Sequence, residues 1–225
     1  MEKGNIMFKK RSSQEIFLKL LEKTSLKFLK RRKLLTVPKK ALPYLLITFL
    51  SLGGNVGAKP NKTEIATLAG GCFWGVEELL RTYKGVISTQ VGYTGGSLPN
   101  PTYDIIKTGA TGHAESVEIE FDPKLISFEE LLKFFFKMHD PTTLNRQGND
   151  IGSQYRSVIF YHSDEQKKVA QRVKEMVDRS GAWKRPVVTE IIPAMPFYTA
   201  EDYHQKYLKK NPGGYTCHYV RDYKF

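Results

Sequence analysis

Cysteine is scarce in this chain: its 225 residues include only two, Cys72 and Cys217. Two thiols exclude a disulfide-rich scaffold and a zinc site built from four thiolates. The five histidines show no metal-ligand spacing with each other or with the thiols. We therefore expect no bound metal or cofactor. The two cysteines are a reactive thiol and its partner, a single static disulfide, or two unrelated thiols.

An excess of positive charge is also lacking outside one end of the chain. Residues 1–58 carry 13 Lys and Arg against 3 Asp and Glu, a net charge of +10. Residues 59–225 carry 22 Lys and Arg against 20 Asp and Glu, a net charge of only +2. A nearly neutral body excludes a basic nucleic-acid groove, so we expect no nucleic-acid partner.

The basic segment 1–58 has the composition of a targeting signal. Positive charge is dense over residues 27–40, an apolar run covers 41–52, and Val56-Gly57-Ala58 has the spacing of a signal-peptidase site. The run is too short for a comfortable permanent span, and Pro43 interrupts it. We expect an exported protein, periplasmic or membrane-associated, that contacts the membrane through this segment only. An organelle presequence, a cytoplasmic tail or a later start codon is the alternative.

Residues 59–63 are expected to form a polar linker and residues 64–225 the folded domain, with a monomer as the default state. Apolar periodicity predicts an alternation of strands and helices. The predicted strands are 65–69, 86–92, 115–121, 157–162 and 187–193, and the predicted helices are 73–83, 128–138, 164–179 and 200–209. Long loops fill 97–113 and 139–155. This order predicts an α+β, two-layer sandwich with a split βαβ (ferredoxin-like) core and functional loops.

The segment Gly70-Gly71-Cys72-Phe73-Trp74-Gly75 lies between a predicted strand and a predicted helix. A thiol at a helix start faces unpaired N–H groups, so we expect a lowered pKa for Cys72 and a nucleophilic thiolate. Phe73 and Trp74 supply aromatic walls beside it. The alternative is a buried cysteine that acts as a small apolar residue.

Glu115 shares the parity of the apolar positions in its strand, Val117, Ile119 and Phe121. Its carboxyl is therefore expected to point inward, where burial raises the pKa and keeps the acid protonated near neutral pH. The alternative is a carboxyl at the solvated start of the strand.

The loops and the C-terminal segment add further polar candidates. Tyr103 lies in the first loop, and the second contains a run of hydrogen-bonding residues from Arg146 to Arg156. Cys217 follows Gly213 and Gly214, so its thiol could reach Cys72 and resolve a sulfenic acid there. A permanent disulfide in an exported binding domain, or a hydrolytic pair of Cys72 with His113, is the competing interpretation.

Four motifs together resemble methionine sulfoxide reductase A. They are Gly-Cys-Phe-Trp-Gly-Val-Glu at 71–77, Gly-His-Ala-Glu at 112–115, Asn-Asp-x-Gly-x-Gln-Tyr-Arg at 149–156 and Gly-Tyr-Thr-Cys-His at 214–218. The resemblance covers residues 64–225 in matching order and spacing. It implies repair of the S-epimer of methionine sulfoxide, in proteins and free.

The resemblance also implies a role for each matching residue. Cys72 attacks the sulfoxide sulfur, Cys217 resolves the resulting sulfenic acid, and thioredoxin or another dithiol reopens the disulfide. Glu115 protonates the sulfoxide oxygen. The remaining implied site residues are the hydroxyl donors Tyr103 and Tyr155, the orienting Asp150, and the S-methyl pocket formed by Phe73 and Trp74.

Overall fold

A computed structural model describes residues 62–225 of the chain. The expected targeting signal at 1–58 and most of the expected linker at 59–63 lie outside the described residues. The strands are β1 Glu64–Gly70, β2 Val86–Thr94, β3 Ala114–Phe121, β4 Arg146–Gln147, β5 Asp150–Ile151, β6 Ser157–Tyr161, β7 Glu190–Pro193 and β8 Tyr198–Thr199. The helices are α1 Phe73–Arg81, α2 Tyr103–Ile106, α3 Phe128–Met138, α4 Asp164–Arg179 and α5 Tyr207–Lys210.

Six strands form one sheet in the order β7-β6-β1-β3-β2-β8. Strand β3 lies between β1 and β2 and is antiparallel to both, so β1, α1 and β2 form a split βαβ unit. Strand β6 adds to the other side of β1, also antiparallel, and only the β6–β7 pair is parallel. The predicted α+β sandwich with a split βαβ core is confirmed.

The two longest helices, α3 and α4, form because apolar residues recur on one face and a serine side chain caps each start. In α3, Phe128, Leu131, Leu132, Phe135 and Phe136 are buried at helical spacing. The helix begins with a capping box, in which the side chains of Ser127 and Glu130 each bond the other's backbone N–H. These apolar residues pack with those of β1 and β3 in the main core, and the end of β1 is thereby fixed in position.

Short elements occupy the two predicted loops. Helix α2 lies in the first loop, and the second contains the β4–β5 hairpin and a 3₁₀ turn at Ser153–Tyr155. Elements of two to four residues are too short to show a periodicity in the sequence. Within residues 62–225, no helix has the length and apolar content that crossing a bilayer requires.

The predicted helix at 200–209 is wrong for most of its length. Only Tyr207–Lys210 is helical, because Lys206 adopts a left-handed backbone conformation (φ 52°) that ends any preceding helix. The Lys206 N–H donates to the buried Glu77 carboxyl over 2.7 Å. The side chain of Gln205 meanwhile bonds both backbone groups of Val91. These bonds tie residues 204–207 to α1 and β2.

Candidate active site

A tight turn at the end of β1 places Cys72 at the N-cap of α1. Gly71 makes the turn with φ of +104°, and a Cβ there would lie 2.5 Å from the Gln147 side chain. The Cys72 residue is only 7% exposed. The thiol is therefore held at the start of a helix and almost enclosed by protein.

The predicted lowering of the Cys72 pKa is wrong. The Trp74 backbone N–H does favour the thiolate, but burial is the largest influence and raises the pKa well above its ordinary value. The negative charges of Glu115 and Asp150 raise it further. Loss of hydration and nearby carboxylates outweigh one helix N–H group, so the resting thiol stays protonated.

Glu115 is buried beside this thiol, as its strand position predicts. The residue is 2% exposed, and its Oε2 accepts the Phe73 backbone N–H over 3.1 Å. Burial raises its pKa to about 8, with the charge of Asp150 adding to the rise and the Phe73 N–H opposing it. The carboxyl is thus protonated at neutral pH and lies at the same helix start as Cys72.

Tyr103, Tyr155 and Asp150 belong to the same electrostatic cluster. Burial and the charges of Glu115 and Cys72 raise the pKa of Tyr103 to about 12. Burial and the Glu115 charge also raise the pKa of Tyr155, so both phenols keep their protons as hydrogen-bond donors. Asp150 contributes to the pKa of Cys72 and of Glu115. The structure therefore brings these predicted residues together.

Phe73 and Trp74 differ in solvent exposure: Phe73 is buried and Trp74 is partly exposed. Phe73 is 1% exposed, with ring centroids 5.8 Å from Tyr93 and 5.0 Å from His204. Trp74 keeps part of its surface open, donates its indole N–H to His204 Nδ1 over 2.9 Å and stacks on Tyr207 at 3.8 Å. Trp74 is therefore the accessible aromatic wall, while Phe73 supports it from within the core.

His204 and Tyr207 were not identified from the sequence. The sequence offers one indication of their shared role: they lie three residues apart in the predicted helix at 200–209, a spacing that places two side chains on one helix face. Their place at the site comes from contacts with Trp74, 130 residues away along the chain for His204.

The C-terminal segment lies against the start of α1. A Cβ on Gly75 would collide with Thr216 Oγ1 and would lie 2.5 Å from His218 Nδ1. The Cys217 thiol donates to Asp150 Oδ2 over 3.4 Å, and the Tyr215 hydroxyl donates to Asp150 Oδ1 over 3.1 Å. Burial and the Asp150 charge raise the pKa of Cys217 to about 12. The second thiol is thus held beside the site.

The competing interpretations find less support. Both cysteines are free thiols in this structure, rather than a static disulfide. His113 Nδ1 accepts the Gly96 N–H over 3.2 Å and its Nε2–H donates to the Leu98 carbonyl over 2.8 Å, so neither ring nitrogen serves Cys72. Among residues 62–225, no group of three or more His, Cys, Asp or Glu side chains is arranged to hold a metal ion.

Comparison with known proteins gives a consistent result. A family profile described as "Peptide methionine sulfoxide reductase" matches residues 64–225. Peptide methionine sulfoxide reductase MsrA 1 of Mesorhizobium japonicum is 58% identical over 159 residues, covering 71% of this chain and 90% of that protein. MsrA of Methanosarcina mazei is 56% identical over 161 residues, covering 72% of this chain and 75% of that protein.

Solved structures agree with the sequence matches. The reduced form of Mxr1 from Saccharomyces cerevisiae has a TM-score of 0.68 and 43% identity, covering 72% of this chain and 94% of that one. Methionine sulfoxide reductase A of Corynebacterium diphtheriae has a TM-score of 0.66 and 41% identity, covering 71% and 79%. A structure of yeast Mxr1 in complex with Trx2 has a TM-score of 0.50 and 30% identity, covering 75% and 97%.

Proposed function

Because this chain belongs to the MsrA family of peptide methionine sulfoxide reductases, we propose that Cys72 is its nucleophile and Glu115 its proton donor. The observation that carries the proposal is the shared helix start. Cys72 is the N-cap of α1, and Glu115 accepts the N–H of the next residue. An acid and a thiol so placed can act on one sulfoxide group at the same time.

The first half-reaction transfers the sulfoxide oxygen to Cys72. The Cys72 sulfur bonds to the substrate sulfur while the Glu115 proton goes to the sulfoxide oxygen. The hydroxyl group so formed then moves to the Cys72 sulfur, as the S–S bond and the S–O bond of the substrate break. The carboxylate left on Glu115 then takes the thiol proton, so the carboxyl is restored. The products are methionine and a Cys72 sulfenic acid, with no net gain or loss of protons. The raised pKa of both groups supports this sequence, because both protons are present at neutral pH.

Tyr103 and Tyr155 are proposed to donate hydrogen bonds to the same oxygen, and Asp150 to orient the site. Trp74, supported by Phe73, is proposed to hold the S-methyl group through apolar contact. A site that fixes the oxygen and the S-methyl group in separate positions distinguishes the two epimers, and the resemblance to methionine sulfoxide reductase A supports the S-epimer as substrate, in proteins and as the free amino acid.

The second half-reaction joins the two cysteines. The Cys217 thiol attacks the sulfenic sulfur of Cys72, the S–O bond breaks, and water leaves with the thiol proton. A thioredoxin or a similar dithiol then reduces the disulfide by exchange. The solved complex of yeast Mxr1 with Trx2 supports a thioredoxin partner for this chain.

The test is incubation of the purified protein with each epimer of methionine sulfoxide. With dithiothreitol, the S-epimer should be converted to methionine over many turnovers and the R-epimer left unchanged. Without reductant, one methionine should form per protein, with loss of both free thiols. Cys72→Ser should release no methionine. Cys217→Ser should release one methionine per protein and retain a sulfenic acid that a dimedone probe labels. Equal turnover of both epimers, or activity in Cys72→Ser, would contradict the proposal.

The targeting signal at 1–58 is proposed to direct export, and the mature protein to be a monomer. The support is the composition of residues 27–58 described above. N-terminal sequencing of protein from its native host should find Lys59 first, and gel filtration should give the mass of one chain. Retention of residues 1–58 in the cytoplasm would contradict export.

A further inference from the structure

His218 connects the turn that carries Cys72 to the second thiol. Its Nε2 lies 2.7 Å from the Gly70 carbonyl oxygen. A carbonyl only accepts, so Nε2 must carry the hydrogen. The neutral imidazole then has a free lone pair on Nδ1, which lies 3.6 Å from Cys217 Sγ. The Gly70 carbonyl therefore selects the tautomer whose acceptor nitrogen faces the thiol.

Local packing fixes this ring. His218 is 7% exposed, and its Nδ1 lies where a side chain on Gly75 would otherwise be, 2.5 Å from an added Cβ. The Cys217 thiol is thus within reach of two acceptors, His218 Nδ1 and Asp150 Oδ2, which lies 3.4 Å from the sulfur.

We propose that His218 is the general base of disulfide formation, accepting the Cys217 thiol proton on Nδ1 as the sulfur attacks the sulfenic acid of Cys72. The inference rests on the proposed function and assigns one residue to its second half-reaction. The new S–S bond forms as the S–O bond breaks. The departing hydroxide takes a proton from Glu115, and the proton on His218 returns to that carboxylate through water. The sum is one disulfide and one water.

A base is needed because the thiol ionises poorly by itself. With the pKa of Cys217 raised to about 12, only about one thiol in 10⁵ is ionised at pH 7. Asp150 is the nearer acceptor, but its negative charge is one cause of that raised pKa. A carboxylate is also a much weaker base than an imidazole. Asp150 therefore positions the thiol, and the neutral imidazole accepts its proton.

Burial keeps the His218 imidazole in its neutral, basic form. Burial lowers the pKa of His218 and is the largest influence, and the positive charge of Arg221 lowers it further. The hydrogen bond to Gly70 and the charge of Asp150 oppose this. His139 also faces His218 and is itself neutral, because burial lowers its pKa to about 3. The imidazole is therefore unprotonated throughout the neutral range.

The test separates the two half-reactions in a single turnover without reductant. His218→Gln keeps an N–H donor for Gly70 but has no basic nitrogen. Its methionine release should match wild type, while its loss of free thiols should be roughly 10²-fold slower. His162→Gln is the control, since the hydrogen bond of that ring goes to the Thr67 hydroxyl and not to a cysteine; both rates should be unchanged.

The pH profile distinguishes a base from a structural anchor. Wild-type disulfide formation should be nearly constant from pH 7 to 9, whereas the rate in His218→Gln should rise about tenfold per pH unit as thiolate appears. A tenfold rise per unit in wild type, or an unchanged rate in His218→Gln, would overturn the inference. The wild-type profile gives this answer even if the variant does not fold. Failure of methionine release in wild type would instead refute the proposed function.

Discussion

Replacing Glu115 with Gln should make the protein more stable and nearly inactive. Glutamine has the same shape and can still accept the Phe73 N–H, but it does not titrate. In the folded protein burial raises the Glu115 pKa to about 8 from an ordinary value of 4.5. Between these values the folded state binds more protons than the unfolded state, so the free energy of unfolding falls as the pH rises. At about 1.4 kcal/mol per pH unit, the wild type loses about 3 kcal/mol by pH 7.

Urea unfolding at pH 5 and pH 7.5 measures this difference. Glu115→Gln should exceed wild type by about 3 kcal/mol or more at pH 7.5 and by less than about 1 kcal/mol at pH 5. Methionine release in a single turnover should fall roughly 10²- to 10⁴-fold because the proton donor is gone. Glu118→Gln, on the opposite face of β3, is the control and should change neither quantity. The reasoning is refuted if Glu115→Gln is no more stable at pH 7.5, or if it reduces sulfoxide at the wild-type rate.

Two further changes probe the geometry of each half-reaction. Gly75→Ala should displace the Thr216–His218 segment, because the new methyl group meets Thr216 Oγ1 and His218 Nδ1. The loss of free thiols should slow roughly 10²-fold, while the rate of methionine release is retained. Equal slowing of thiol loss and methionine release would contradict this reasoning. Tyr103→Phe combined with Tyr155→Phe should lower the rate of methionine release roughly 10²-fold, since two donors to the sulfoxide oxygen are removed. An unchanged single-turnover rate in the double variant would exclude that role.

Most of the fold could be predicted because its main elements have local causes. Helix α3 has both a capping box and an apolar stripe, and β3 alternates cleanly, so the sequence also indicates which way Glu115 points. The βαββαβ order then leads to the split core. The structure of residues 200–209 could not be predicted in this way, because Glu77 and Val91, from distant elements, hold this segment by hydrogen bonds.

The members of the site could be named from motifs, but their electrostatics could not. The sequence around Cys72 predicts a helix start, and a helix start by itself favours the thiolate. Burial contributes most to reversing this effect, and the Glu115 carboxyl that adds to it lies 42 residues beyond the helix residue that it bonds. His218 likewise acquires its role from a carbonyl 148 residues away. Such influences depend on tertiary proximity, which a single sequence does not display.

The enclosure of Cys72 has a consequence for survival of the enzyme under oxidative stress. Peroxides attack exposed thiolates, and over-oxidation to sulfinic or sulfonic acid is irreversible for most proteins. A cysteine that is 7% exposed and keeps its thiol proton at rest offers such oxidants a poor target. In the proposed mechanism, its nucleophilicity emerges only when a sulfoxide takes the proton of the neighbouring acid. The repair enzyme is thereby shielded from the same reagents that create its substrate.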